Sequence, residues 1–140
     1  EGSCVFPDVY YKLGCLYMYG NGVAKDEKRA VELFVLADAA NDGLEEAQVA
    51  LGDAYHEGKG VDRNMVEALN WYVKAADADN ENALMRLGNI YEKGDGVVAN
   101  RRLAAKYYKR ARDAAFDDIV KEEAEKGLSR VTMEAKECHK

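Results

Sequence analysis

The chain carries a single proline and two histidines, and no apolar run approaches the ~20 residues a membrane span requires. Pro7 stands near the start, so nothing in the interior forbids uninterrupted helix. His56 and His139 are too isolated to supply a catalytic base with a nearby nucleophile, or a metal-ligand set. Cys138 and His139 are adjacent, yet two neighbouring ligands do not close a tetrahedral site. The three cysteines, Cys4, Cys15 and Cys138, have no short spacing and form an odd set. They read as free thiols, which favours a reducing, cytoplasmic compartment. Val5 and Phe6 are too short an apolar stretch for a secretory signal, and because the chain opens at Glu1 an upstream signal stays open. Basic side chains are outnumbered by acidic ones, 20 to 26. The net charge of −6 argues against nucleic acid as the principal partner, and no motif calls for a cofactor. That charge is uneven: residues 1–98 hold 9 basic and 18 acidic side chains, residues 99–140 hold 11 and 8. Solvated helix faces account for it, and a bipolar surface that orients a partner is the sharper reading.

What the chain has in abundance is repetition. The string Leu-Gly-x-x-Tyr-x-x-Gly-x-Gly-Val begins at Leu13, Leu51 and Leu87, spaced by 38 and then 36 residues. Each copy is followed by a small–aromatic–small series: Ala30, Phe34, Ala37; Ala68, Tyr72, Ala75; Ala104, Tyr108, Ala111. Periodicity of this length marks stacked supersecondary units. In the second copy, Ala47, Ala50, Leu51, Ala54 and Tyr55 make one helical stripe. Gly58-Lys59-Gly60 then ends the helix and reverses the chain, and Val61 plugs the bottom of the hairpin. Asp26, Asn64 and Asn100 are placed to cap the second helices, with Glu67 completing a capping-box spacing after Asn64.

Glycine inside a helix costs about 1 kcal/mol against alanine. The recurrence of Gly14, Gly52 and Gly88 therefore predicts close approach of a partner helix. Gly20, Gly22, Gly58, Gly60, Gly94 and Gly96 serve the turns, and Tyr17, Tyr55 and Tyr91 fill the gaps between helices. The Gly-x-Gly strings are not phosphate cradles. A nucleotide loop needs a strand before it, and here a helix precedes each one.

These motifs resemble the Sel-1-like repeat, a relative of the tetratricopeptide repeat with a longer, glycine-containing internal turn. The resemblance implies an all-α fold, a right-handed solenoid of three antiparallel helix pairs plus a C-terminal capping helix. Repeats are expected at about 8–43, 44–79 and 80–115, with the capping helix at about 117–138 on the stripe Val120, Ala124, Leu128, Val131 and Ala135. Asp8 could cap the first helix, and Asn41–Gly43 lengthen the first connection between repeats. Nothing but a short tail stands before the first helix, so earlier repeats may be expected upstream in a longer protein. The resemblance implies a non-catalytic scaffold that binds a protein or peptide, and not an enzyme. One alternative is the cysteine-rich, β-lactam-binding or hydrolysing branch of the family. This chain has Ala76 and Ala83 where that branch carries cysteines, and it lacks a Ser-x-x-Lys nucleophile. The other alternative is a structural spacer within a longer protein.

In a helix-pair solenoid the first helices line the concave face. Positions two before, two after and five after the motif leucine should point into it. They are Tyr11, Cys15 and Met18; Val49, Asp53 and His56; and Met85, Asn89 and Glu92. On the last helix the same offsets give Lys126, Arg130 and Met133. An apolar centre would take an extended or helical peptide, and Asp53 and Glu92 would favour basic flanks. Arg102, Lys106, Lys109 and Arg110 should form an outward basic face on the sixth helix.

Overall fold

A computed structural model of the chain describes residues 7–40 and 44–137, with side chains described for residues 9–39 and 44–132. Among the described residues there are seven helices and no strand: α1 Pro7–Tyr19, α2 Glu27–Ala40, α3 Glu45–Glu57, α4 Met65–Asp77, α5 Glu81–Lys93, α6 Arg101–Ala114 and α7 Asp118–Glu137. The fold is an all-α helical repeat. It packs as two units, residues 1–75 and 76–140.

The turn inside each helix pair is closed by the same bonds in all three copies. The carbonyls of Leu16, Ala54 and Ile90 in the last turn of the first helix accept the amides of Asn21, Lys59 and Asp95 at 3.0, 2.9 and 3.1 Å. This six-to-one bond needs a left-handed residue at the helix end, and Gly58 and Gly94 supply it at φ 72°. The carbonyls of Tyr17, Tyr55 and Tyr91 then accept the amides of Asp26, Asn64 and Asn100 at 2.9, 2.9 and 2.8 Å. Those three residues in turn cap the second helices. Asp26 Oδ1 accepts the Arg29 amide at 3.1 Å, Asn64 Oδ1 that of Glu67 at 3.2 Å, and Asn100 Oδ1 that of Leu103 at 3.1 Å. The expected capping box at Asn64 does not form: its amide is already committed to Tyr55, which leaves Glu67 nothing to receive. At the start of the chain α1 begins at Pro7, so Asp8 lies in the first turn rather than ahead of it; its side chain is outside the described residues.

In the first unit, α1, α2 and α3 share a core of Met18, Ala30, Val31, Phe34, Leu51 and Ala54, against which Val61 and Trp71 pack. Ala37, Leu44 and Ala47 continue it. In the second unit, Ala104, Tyr108 and Val131 form the centre, joined by Met85, Tyr91 and Leu128. Arg110 departs from the expected basic face. Its guanidinium donates to the Ala76 carbonyl at 2.8 Å and to Asp79 at 3.0 Å, holding the α4–α5 connection where Asp79 has a positive φ of 59°. Arg102, Lys106 and Lys109 are exposed as expected.

The helical glycines explain themselves by distance. A Cβ on Gly14 would stand 2.7 Å from the Phe34 ring, one on Gly52 2.5 Å from Tyr72, and one on Gly88 2.7 Å from Tyr108. Tyr72 and Tyr108 are fully buried, so their rings have no free volume to retreat into. Gly52→Ala is therefore expected to lower stability by about 1–3 kcal/mol through overpacking, although alanine is the better helix former. A urea midpoint that rises instead would show that the ring can yield.

Candidate functional site

The offsets of minus two, plus two and plus five from each motif leucine are separated by four and three residues, which sets them on one side of a helix. The structure divides them by depth. In the first unit Met18 and Val49 are 7% and 8% exposed. They belong to the core rather than to a surface, a correction to the expectation for these two positions. Tyr11 is half-buried, its ring 5.8 Å from that of Phe34 and tilted by 40°. Burial, followed by the adjacent Cys15 thiol, pushes the Tyr11 hydroxyl up to about 12. Cys15 is a half-buried free thiol beside it.

Asp53 and His56 both attend to Tyr72. The Tyr72 hydroxyl donates to Asp53 Oδ1 at 2.5 Å, and the His56 ring meets the Tyr72 ring edge-on at 6.5 Å. A fully buried tyrosine must satisfy its hydroxyl, and the half-buried Asp53 carboxylate does so. The third repeat makes the same arrangement with different residues. The Tyr108 hydroxyl lies 2.7 Å from Asn89 Oδ1 and 2.6 Å from Glu92 Oε1. In the first repeat the ring is Phe34, which has no hydroxyl, and the position opposite is Cys15, which makes no strong acceptor. Cys15–Phe34, Asp53–Tyr72 and Asn89–Tyr108 are each 19 residues apart. That spacing was the available signal for this pairing, and leucine-centred counting passed over it.

Glu92 is the most committed of the candidates. Arg130 on α7 grips it through Nε–Oε2 at 2.7 Å and Nη2–Oε1 at 2.9 Å. The carboxylate side chain retains 13% of its exposure and the guanidinium 52%, so the cation lies over the anion. The Arg130 bond holds the Glu92 carboxyl below the usual carboxylate range against the opposing cost of burial, with help from the Tyr108 bond. Glu92 in turn pushes the Arg130 guanidinium up, while burial and then Glu92 push the Tyr108 hydroxyl up. The idea that Glu92 offers free negative charge to a basic partner is thus overturned by Arg130. The Asp53 part of that idea is weakened by Tyr72. Lys126 is exposed and pairs with Glu122 at 3.3 Å, and Met85 is half-buried against the Tyr108 cluster. Asn89 is exposed.

One structural feature had no sequence reading. Gly127 on α7 also approaches Tyr108, where a Cβ would come within 2.8 Å, so that ring is contacted closely by glycines from both α5 and α7. The motif tyrosines are half-buried rather than internal. Arg29 covers the Tyr17 ring at 5.2 Å, and Tyr91 stacks on Tyr107 at 6.0 Å. Among the described residues no group of three or more His, Cys, Asp or Glu is placed to hold a metal ion, and no helix is long and apolar enough to cross a membrane. Cys4, Cys138, His139, the Asn41–Gly43 connection and the Met133 side chain lie outside the described residues.

The Sel1 repeat family model matches residues 7–41, 45–80 and 82–116. The chain belongs to the Sel1 repeat family. Its fold is similar to that of a Sel1 repeat protein from Oxalobacter formigenes, with a TM-score of 0.74 and 33% identity over 87% of this chain and 46% of the other. It is also similar to c5321, a protective antigen of uropathogenic Escherichia coli strains with an SLR fold, with a TM-score of 0.72 and 38% identity over 78% of this chain and 23% of that one. A further similarity is to the chitin synthase regulator SKT5 of Saccharomyces cerevisiae, 52% identical over 52 residues, which is 37% of this chain and 7% of SKT5. The chain therefore spans less than half the length of each of these relatives.

The paired acceptors of the Sel1 repeats give two tests. Tyr108→Phe, which keeps the ring against its glycines, is expected to cost about 1–2 kcal/mol by urea denaturation. A neutral result would mean that Asn89 and Glu92 do not need the hydroxyl. Because Glu92 titrates below its ordinary value of 4.5 in the folded chain, its contribution is complete above that pH and is lost as pH falls through the lower folded value. Glu92→Gln should accordingly flatten the acid side of the stability–pH curve, and an unchanged slope would contradict the ion pair.

Proposed function

We propose that the chain is a non-catalytic protein-interaction scaffold that receives a protein or peptide segment on the exposed side of its first helices. Sel1 repeat proteins commonly act as protein-interaction scaffolds, and the SKT5 relative is a regulator, which supports this reading. The observation that carries it is a division of labour along each repeat. The leucines, glycines and second-helix aromatics that recur are consumed by packing and turns. The positions beside them differ from copy to copy and keep exposed or half-exposed atoms.

In the first unit those positions are Tyr11, Cys15, Asp53 and His56, a half-buried aromatic and thiol next to polar groups. In the second they are Met85, Asn89, Lys126 and Arg130, with Glu92 beneath the guanidinium. With Glu92 paired to Arg130 and Lys126 paired to Glu122, the second group presents ion pairs rather than net charge of either sign. It suits a polar segment that can hydrogen-bond to Asn89 and the solvated guanidinium, and the basic flanks expected from sequence give way to that. Met85 would supply adaptable apolar contact at its edge.

A photo-reactive amino acid at position 15, 56 or 89 tests the assignment against controls at Lys28 and Lys109, which are exposed on second helices. Cross-links to a defined partner peptide are expected from the first set and not from the controls. Equal labelling from both sets, or labelling confined to Lys28 and Lys109, would move the binding surface elsewhere. With the partner purified, Asn89→Ala should weaken its binding by about tenfold if Asn89 is a central contact.

A further inference from the structure

The first repeat exposes residues that its sister repeats bury. Val9 and Leu16 of α1 are 57% and 39% exposed. Their counterparts are Ala47 and Ala54 in α3, at 0% and 2%, and Ala83 and Ile90 in α5, at 0% and 3%. Leu13 is half-buried, whereas Leu51 and Leu87 are fully buried. What covers the α3 positions is visible in the first unit: Leu51 and Ala54 pack on Ala30, Val31 and Phe34 of the preceding second helix, and Ala47 packs on Ala37. The α1 face is thus built for a helix of that kind.

A second, independent observation concerns backbone rather than side chains. Gly60 sits against the first turn of α2, where a Cβ would stand 2.4 Å from the Glu27 carbonyl oxygen. It is a notch that admits only helix backbone. Gly22, its counterpart one repeat earlier, has the same φ of 80° and nothing within 4 Å. A third observation lies on α2. Leu36 is 47% exposed at the position where Arg110 of α6 reaches back to the Ala76 carbonyl at the end of the preceding second helix.

We infer that the face formed by Val9, Leu13, Leu16, Gly22 and Leu36 docks a further helix pair of the Sel1 type, carried by the same polypeptide immediately ahead of this stretch. The notch at Gly22 selects a helix backbone over an extended peptide. A preceding pair would enter by the same short link that joins α2 to α3. The last helix of a second copy is a poorer match, because apart from Ile119 its exposed first half, Lys121, Glu122, Glu123, Glu125 and Lys126, is charged where this face is apolar. The solved Sel1 relatives also run well beyond the matched stretch, which covers 46% and 23% of them. This surface is separate from the first-helix positions assigned to partner binding, and its failure would leave that reading intact.

The coding sequence upstream of residue 1 provides the first test. It should encode a second helix with the Ala-x-x-x-aromatic-x-x-Ala pattern within about one repeat length ahead of Pro7, as in known Sel1-type arrays. A stop codon, or an upstream stretch without that pattern, overturns the inference. The second test uses the protein: residues 45–80 are joined directly ahead of Pro7, the register in which they precede Glu81. The extended chain should melt several degrees higher, and its α1 amides should exchange at least about tenfold more slowly. Gly22→Ala, already strained at φ 80° in the 140-residue chain, should cost distinctly more in the extended one and cancel that gain. An extended chain with unchanged midpoint and exchange contradicts the inference. So does self-association of the 140-residue chain that Leu16→Asp abolishes, since a second copy would then hold the face.

Discussion

Each helix pair closes on an aromatic ring from the second helix packed directly against a glycine of the first: Phe34 on Gly14, Tyr72 on Gly52, Tyr108 on Gly88. The rest of the repeat follows from this contact. It requires glycine within a helix, which is otherwise unfavourable, and it requires alanines one turn to either side so that the backbones can approach. It also buries a hydroxyl in two repeats out of the three, and that hydroxyl must find an acceptor. The acceptors come from the first helix: Asp53 and Asn89, two residues after the leucine, and in the third repeat also Glu92, five after it. A position that looks free for ligand binding is thus partly conscripted by the fold.

Much of the architecture was legible in the sequence because it depends on local rules. The small–aromatic–small spacing fixed the second-helix stripes, and the Gly-x-Gly strings located the reversals. Asp26, Asn64 and Asn100 were recognisable caps because a side-chain acceptor at a helix start acts within three residues. Depth was less legible. Met18 and Val49 share a helical face with exposed residues, yet they turn into the core because burial is decided by neighbouring helices rather than by spacing on one helix. The Glu92–Arg130 pair joins residues 38 apart, and Gly127 meets Tyr108 from another helix. Neither interaction has a signature in the residues that flank it.

The pair formed by Glu92 and Arg130 also changes what the second unit offers a partner. Counting side chains along the first helices gives an acidic face; placing them gives a carboxylate covered by a guanidinium, with Lys126 on the same helix as the cation. Such a pair contributes through its two hydrogen bonds and through removing repulsion, and its net worth in stability is modest where the cation stays solvated. Its larger consequence is that the guanidinium, and not the carboxylate, is the outer group of the pair. The first unit, by contrast, keeps a half-buried cysteine and a half-buried tyrosine at the matching positions. Two units with one fold thereby present different chemistry.

The repeat lacking a hydroxyl permits the most direct test of the ring-and-acceptor account. Phe34→Tyr and Cys15→Asn, made singly and together, rebuild in the first repeat the Tyr108–Asn89 pair of the third. The account predicts that Phe34→Tyr alone destabilises the chain by stranding a buried hydroxyl. The double variant should recover most of that loss, a favourable coupling of about 1 kcal/mol or more by urea denaturation. Additive effects with no coupling would contradict it, since the two positions would then not form the unit on which each repeat is built.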